Sequence, residues 1–267
     1  MEVFMYQLAN QSNINELLSY FEQDLTNCLY SYIDLKKYGI ANKALSIYYY
    51  KEENEIRAVA TKYYNGLQLF SYHSEFPLHA TVALIIKLKP SIISSTTDVI
   101  DLLSYELSKE YQVEKGFVTS LIQTNELISK SDVQCADVND LEEIAKLICS
   151  DYGLGGHYDV IQLKNQLSTR MQEKFGRNYI IRQNGQIVCH AATYAEVDNL
   201  AVISGVITHP DFRGRGLARE VVTKLCDDLL SERKQPYLFY YTKDSERLYK
   251  KIGFTSKSSW GKLAKQE

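Results

Sequence analysis

The order of secondary-structure signals in this chain of 267 residues is written twice. From about Ile14 the residues read as two helices, three strands, a helix, a strand, a helix and a strand. From about Asp137 the same order begins again. Strands interleaved with helices confine each half to an α+β fold with a mixed sheet. At about 150 residues per domain, the length accommodates two such lobes. A polar stretch, Thr124 to Asp132, separates them, so domains over 1–130 and 131–267 are expected.

The second half carries the clearer signals. Leu141, Ile144, Ala145 and Ile148 fall at helical spacing behind the candidate caps Asp137 and Asn139. A glycine-rich loop, Gly153–Gly156, leads to a helix over about 160–174. Asn184-Gly185 between two β-prone runs, Asn178–Arg182 and Ile187–Ala195, predicts a hairpin. Leu200–Thr208 is a nearly continuous apolar run, as expected of a strand buried on both faces. Leu217, Val221, Leu225 and Leu229 predict an amphipathic helix that Pro236 ends, with a strand at Tyr237–Thr242. Asp244 is placed to cap a short helix over 245–251, closed by Gly253. The first half has helical segments over 14–38 and strands at 45–50, 56–64 and 67–72. A helix at 77–88, a strand at 92–94, a helix at 98–110 and a strand at 113–122 follow.

Composition excludes several classes. Lys+Arg 30 against Asp+Glu 33 gives a net charge of −3, unlike a polyanion binder held by bulk charge, so no nucleic-acid partner is expected. Cys28, Cys135, Cys149, Cys189 and Cys226 are scattered without a CxxC pair, and no His/Cys pair has metal-ligand spacing. Free buried thiols, no metal and a reducing compartment are the expectation. The first residues lack a basic stretch followed by an apolar run, and the longest apolar stretch, near Ala80–Leu88, is too short to span a bilayer. A cytoplasmic location without membrane partners follows as an expectation.

Chemistry concentrates in Ser204-Gly-Val-Ile-Thr-His-Pro-Asp-Phe-Arg-Gly-Arg-Gly-Leu-Ala218. An apolar strand runs into a loop with Gly214 and Gly216 that opens directly onto a helix. The first amides of a helix lack intrahelical partners and sit at the positive end of the macrodipole. Glycines leave those donors accessible, and Arg213 and Arg215 add cations that pair with phosphate oxygens. The segment therefore reads as an anion site, with a surface turn as the plainer alternative. It lacks the Gly-Lys-Ser/Thr of a P-loop and a complete GxGxxG, which excludes a kinase or dehydrogenase reading.

Arg213-x-x-Gly216-x-Ala218 resembles the Gln/Arg-x-x-Gly-x-Gly/Ala motif of the GCN5-related N-acetyltransferase (GNAT) superfamily. Gly-Val-Ile-Thr-His-Pro before it and Leu248-Tyr249-x-x-x-Gly253-Phe254 after it fit the same pattern, nearest the FR47-like branch. The resemblance spans roughly Asp132 to Lys262. It implies tandem acetyltransferase-like lobes, each a central, mostly antiparallel sheet flanked by helices. The first lobe would be degenerate, because its matching loop, Tyr72 to Pro77, has no glycine and carries Glu75.

The resemblance also implies roles. The amides of Gly214, Arg215, Gly216, Leu217 and Ala218, with Arg213, would hold the pyrophosphate of acetyl-CoA or another acyl-CoA. Val206, Ile207 and Thr208 would pair with the pantetheine arm at an open edge between Leu200–Thr208 and Tyr237–Thr242. The Val206 amide would polarise the thioester carbonyl, Tyr249 would protonate the departing thiolate, and Ser245 would touch the cofactor. The family's early-strand glutamate is missing, since Leu200–Ile203 is uncharged. Glu196, Asp198, His190 and His157 are the candidate general bases in its place. A small amine is the expected acceptor, and Tyr152, Tyr158, Asp151 and Asp159 would suit a cationic one. The expected activity is N-acyl transfer; the alternative is a non-enzymatic acyl-CoA sensor.

Overall fold

The computed structural model describes residues 5–72, 76–125, 131–151, 154 and 159–266. The doubled order is present. The first half contains β1 (Gln7–Leu8), α1 (Ile14–Glu22), α2 (Leu25–Tyr38), β2 (Leu45–Glu52), β3 (Glu55–Tyr63) and β4 (Gly66–Phe70). It continues with α3 (Leu78–Leu88), β5 (Ile92–Thr96), α4 (Thr97–Leu107) and β6 (Tyr111–Ser120). The second contains β7 (Val133–Cys135), α5 (Leu141–Cys149), α6 (Val160–Gln172), β8 (Asn178–Gln183), β9 (Gln186–Val197) and β10 (Leu200–Thr208). It ends with α7 (Leu217–Ser231), β11 (Gln235–Tyr240), α8 (Lys243–Ile252) and β12 (Thr255–Lys265). Each half opens on a short strand that its few residues do not announce.

The chain forms two compact units, Met1–Val118 with Lys257–Glu267, and Thr119–Ser256. This division departs from a cut after residue 130. The reason is pairing: β12 lies antiparallel to β5, with Trp260 opposite Thr96 and Leu263 opposite Ile93. Leu263 is thereby fully buried among Ile93, Ile100 and Leu103. In the second unit, the place beside β11 is taken by the end of β6, where Leu121 N–H donates to Pro236 O at 3.0 Å.

Among the described residues, the strand pairs within each unit are mostly antiparallel. In the first unit β2, β3 and β4 are antiparallel and β4 runs parallel to β5; in the second, β7 to β10 are antiparallel and β10 runs parallel to β11. The parallel steps from β4 to β5 and from β10 to β11 follow from the helices, α3 and α7, that carry the chain back across the strands.

Side-chain alternation explains the apolar strands of the second unit. Tyr179, Ile181, Ala201 and Ile203 pack with Leu217, Val221, Val222, Leu225 and Leu229 of α7. Ile180, Ile187 and Ile207 face the other way, against Leu141, Ile144 and Ile148 of α5 and Leu163 and Leu167 of α6. With both faces covered, successive residues are apolar. Each fully buried Leu or Val contributes roughly 1.5–3 kcal/mol before entropic costs.

Pro236 does more than end a helix: it sits in β11, opposite Ala201, near the strand start where a missing N–H is tolerated. Asp244 does not cap α8. Thr242 does, accepting from Ser245 N–H at 3.2 Å.

Candidate cofactor and active site

The ladder between β10 and β11 joins Leu200 to Gln235, Ala201 to Pro236, Val202 to Tyr237 and Ile203 to Leu238, and there it ends. Residues 204–208 continue β10 without a β11 partner among the described residues, while β9 still pairs with them on the other side. Val206 and Thr208 are half-buried and Ile207 is buried. The parted strands leave the edge of β10 that an extended ligand needs.

At the end of β10 the loop turns through a 3-10 segment, Pro210–Phe212, into α7. Gly214 (φ 77°) and Gly216 (φ 85°) adopt the left-handed conformation that other residues resist, and a Cβ on either would meet nothing within 4 Å. Backbone conformation selects these glycines, and open space lies over them. Gly216 is the N-cap of α7 and supplies no side-chain bond, so the helix start is not closed by a side-chain cap. The acid of this first turn, Glu220, accepts from Ser131 N–H at 2.7 Å.

The two arginines shape the loop. Arg213 donates through Nε to Thr208 O and through Nη2 to Asp151 Oδ2, both at 3.1 Å, and its side chain remains 54% exposed. Arg215 donates to Asp211 O at 2.9 Å and lies 4.9 Å from the Phe212 ring centre.

Tyr249 extends from α8 into the core beneath α7, its ring 6.2 Å from that of Tyr240 and 5.8 Å, edge-on, from that of Phe254. The hydroxyl has no hydrogen-bond partner among the described residues. Burial pushes the phenol above its ordinary pKa, with a smaller contribution from Cys226, so it stays protonated at neutral pH. Gly253 follows at φ 121°, where a Cβ would come within 2.7 Å of Gln123 O. Ser245 is occupied in capping, its oxygen 2.9 Å from that of Thr242.

Of the described candidate bases, Glu196 and Asp198 lie away from this site, and His190 adjoins it with both ring nitrogens engaged. Glu196 lies opposite Ala201, five residues from Val206, or about 17 Å at the rise of a strand. It is bound to Arg177, Lys234 and Thr193. Asp198 sits in the β9–β10 turn with φ 44°, farther still. His190 is fully buried and hydrogen-bonded at both nitrogens. His157, with Tyr152 and Tyr158, lies outside the described residues, as do His73, Ser74 and Glu75. The two acids thought to suit a cationic amine have other partners: Asp151 holds Arg213, and Asp159 caps α6 by accepting from Ile161 and Gln162 N–H.

Residues 160–263 match the family model of the GNAT acetyltransferases. The fold is that of the GNAT acetyltransferases. A GCN5-related N-acetyltransferase-like protein from Streptococcus suis superposes with a TM-score of 0.63 at 18% identity, covering 95% of this chain and 100% of its own. A Drosophila protein superposes at 0.71 with 11% identity over 98% and 99%. A tandem GNAT protein from the clavulanic acid biosynthesis pathway gives 0.61 at 11% over 98% of each chain. The GNAT likeness thus extends over both units. No curated protein matches the chain. Among the described residues no helix is long and apolar enough to cross a membrane, and no three His, Cys, Asp or Glu side chains group to hold a metal ion.

Proposed function

We propose that the second unit binds an acyl-CoA and transfers its acyl group to an amine, the first unit being a GNAT-like lobe without a phosphate loop. The observation that carries this is the junction of two features on one strand. β10 loses its parallel neighbour after Ile203 and then runs into a glycine loop at an uncapped helix start. An extended arm ending in a pyrophosphate needs those two features in that order.

The residues present fit such a ligand. Gly214 to Ala218 offer amides at the positive end of α7, with Arg213 and Arg215 alongside. Val206, Ile207 and Thr208 offer backbone groups along the open edge. Acyl-CoA supplies a thioester, whose carbonyl carbon an amine attacks and whose sulfur departs. The Val206 amide stabilises the charge that builds on the carbonyl oxygen. Tyr249, protonated and with its hydroxyl unengaged, donates a proton to the departing sulfur. Ser245 serves chiefly as part of the α8 cap, beside the cofactor. An amine that arrives neutral attacks the carbonyl carbon, and the proton its nitrogen then sheds passes to water or restores the phenol of Tyr249.

Calorimetry with acetyl-CoA, followed by thiol release over a panel of small amines, tests the reading. Binding together with amine-dependent CoA release is expected. Binding without release on any amine would favour an acyl-CoA sensor, and no binding would end the proposal.

A further inference from the structure

His190 is a fully buried imidazole that no step above uses. Its Nδ1 lies 2.6 Å from Gly205 O and its Nε2 3.0 Å from Oδ1 of Asn178, itself buried. Burial lowers its pKa to about 4, the Gly205 carbonyl opposing in part, so the ring is neutral at neutral pH. A neutral imidazole donates from one nitrogen and accepts at the other. Gly205 O only accepts, so Nδ1 carries the proton. Nε2 then accepts, which requires Asn178 to turn its NH2 toward the ring; the two orientations of that amide differ only by a half-turn. A directed chain results, Asn178 to His190 to Gly205.

Gly205 is where β10 is irregular. Ser204 pairs with Ala192 and Ile207 with His190, so the strand holds one extra residue between them. Gly205 has φ 65°, and a Cβ there would lie 2.9 Å from the Tyr194 hydroxyl and 3.1 Å from His190 Cε1. The carbonyl of Gly205 and the N–H of Val206 belong to one planar trans peptide and point in opposite directions. β9, which carries His190, flanks β10 on one side, and β11 flanks it on the other until Ile203. With its carbonyl drawn toward the His190 ring, this peptide turns the Val206 N–H away from that ring.

We propose that His190, oriented by Asn178, is a positioning residue that locks the Gly205–Val206 peptide so that the Val206 amide points at the acyl carbonyl. This rests on the acyl-CoA reading above. It makes the bulge a preorganised donor: without the imidazole, a buried carbonyl would lack its partner and the peptide would be free to rotate.

The test compares wild type with His190→Leu and His190→Gln in the full chain, following the Val206 amide by NMR with acetyl-CoA and with CoA as probes. Wild type is expected to show a downfield Val206 shift with acetyl-CoA that CoA does not produce. His190→Leu is expected to lose that difference while its CoA affinity stays within about threefold, under 0.7 kcal/mol. His190→Gln, which retains an N–H donor, is expected to recover it. A folded His190→Leu chain that keeps the acetyl-specific shift overturns the proposal. If that variant does not fold, a folded His190→Gln chain decides, retention supporting the proposal and loss overturning it. A wild type that binds CoA but shows no acetyl-specific shift overturns the positioning role alone. A wild type that binds neither probe overturns the acyl-CoA reading and this proposal together.

Discussion

Arg177 grips Glu196 with two parallel hydrogen bonds, Nε to Oε1 at 2.8 Å and Nη2 to Oε2 at 2.7 Å. The Glu196 carboxylate is only 3% exposed, and Lys234 Nζ reaches it from the start of β11 at 2.6 Å. Arg177 also holds Glu232, just beyond α7, at 2.6 Å. Four charges thus tie the β9–β10 hairpin to the segment before β8 and to the α7–β11 connection. The fork geometry of a guanidinium suits two carboxylates better than a lysine's point charge would. A residue that looked like a spare base is a clamp.

Replacing Glu196 by Gln should destabilise the chain by about 1–3 kcal/mol at pH 7, the range for hydrogen bonds to charged groups, because Arg177 and Lys234 keep their charge and lose a partner. Acid should act on the same clamp. Burial pushes the Glu196 carboxyl up, but Arg177, Lys234 and Thr193 together outweigh it and hold the pKa below its ordinary value of 4.5. Hydrogen bonding to Arg177, chiefly, lowers Glu232 to about 2. The unfolded chain therefore binds more protons between about pH 4.5 and 2, and stability is lost as pH falls through that window. Urea unfolding at pH 7 and pH 3 should show a smaller acid loss for the variant; identical losses would count against the clamp.

Gly216→Asp should abolish CoA binding, with an affinity loss of at least about 100-fold, or 2.7 kcal/mol. The carboxylate would stand at the α7 start where phosphate is expected, on a residue with φ 85°. Gly216→Ala separates the causes, since its Cβ meets nothing within 4 Å. Only the backbone cost of roughly 1–2 kcal/mol should appear there. Unchanged calorimetric affinity in the Asp variant would remove the phosphate loop from the site.

Tyr249→Phe should lower turnover by about 100-fold, within the span of general acid catalysis, and leave acetyl-CoA affinity nearly intact. The ring contacts to Tyr240 and Phe254 survive, so the melting temperature should hardly move. Equal turnover in a thiol-release assay would reduce Tyr249 to a packing residue.

A chain ended after Ser256 should lose stability in the first unit. It would leave the β5 edge unpaired and remove Trp260 and Leu263, 2% and 0% exposed. Loss of a buried Trp alone costs about 3–5 kcal/mol. Hydrogen exchange should show β5 and α4 deprotected before β8 and β9. Uniform exchange would mean that β12 is dispensable there.

Much of the fold was legible because its signals are local. Asn184 and Gly185 have φ 51° and 81°, the two positive angles that the hairpin turn demands and that those residue types tolerate. The spacing of Leu217, Val221, Leu225 and Leu229 marks the buried stripe of α7, and Gly214 and Gly216 mark the left-handed loop. Caps were read less well: Thr242 stands two residues before Asp244, and either type suits the position.

The rest depended on partners distant along the chain. Glu196 meets Arg177 nineteen residues away and Lys234 thirty-eight away. No period connects them, so the carboxylate looked unemployed. His190 meets Gly205 only because β9 and β10 pair with one residue extra, a register that apolar alternation does not specify. Thus the sequence by itself determined the doubled order of elements, the glycine loop and the faces of the helices, since these follow from backbone preferences over a turn or a pleat. Tertiary structure alone decided that β12 completes the first unit, that the β10–β11 ladder ends at Ile203, and which ionisable groups are already occupied. Those outcomes depend on which distant strand and charge come to lie alongside.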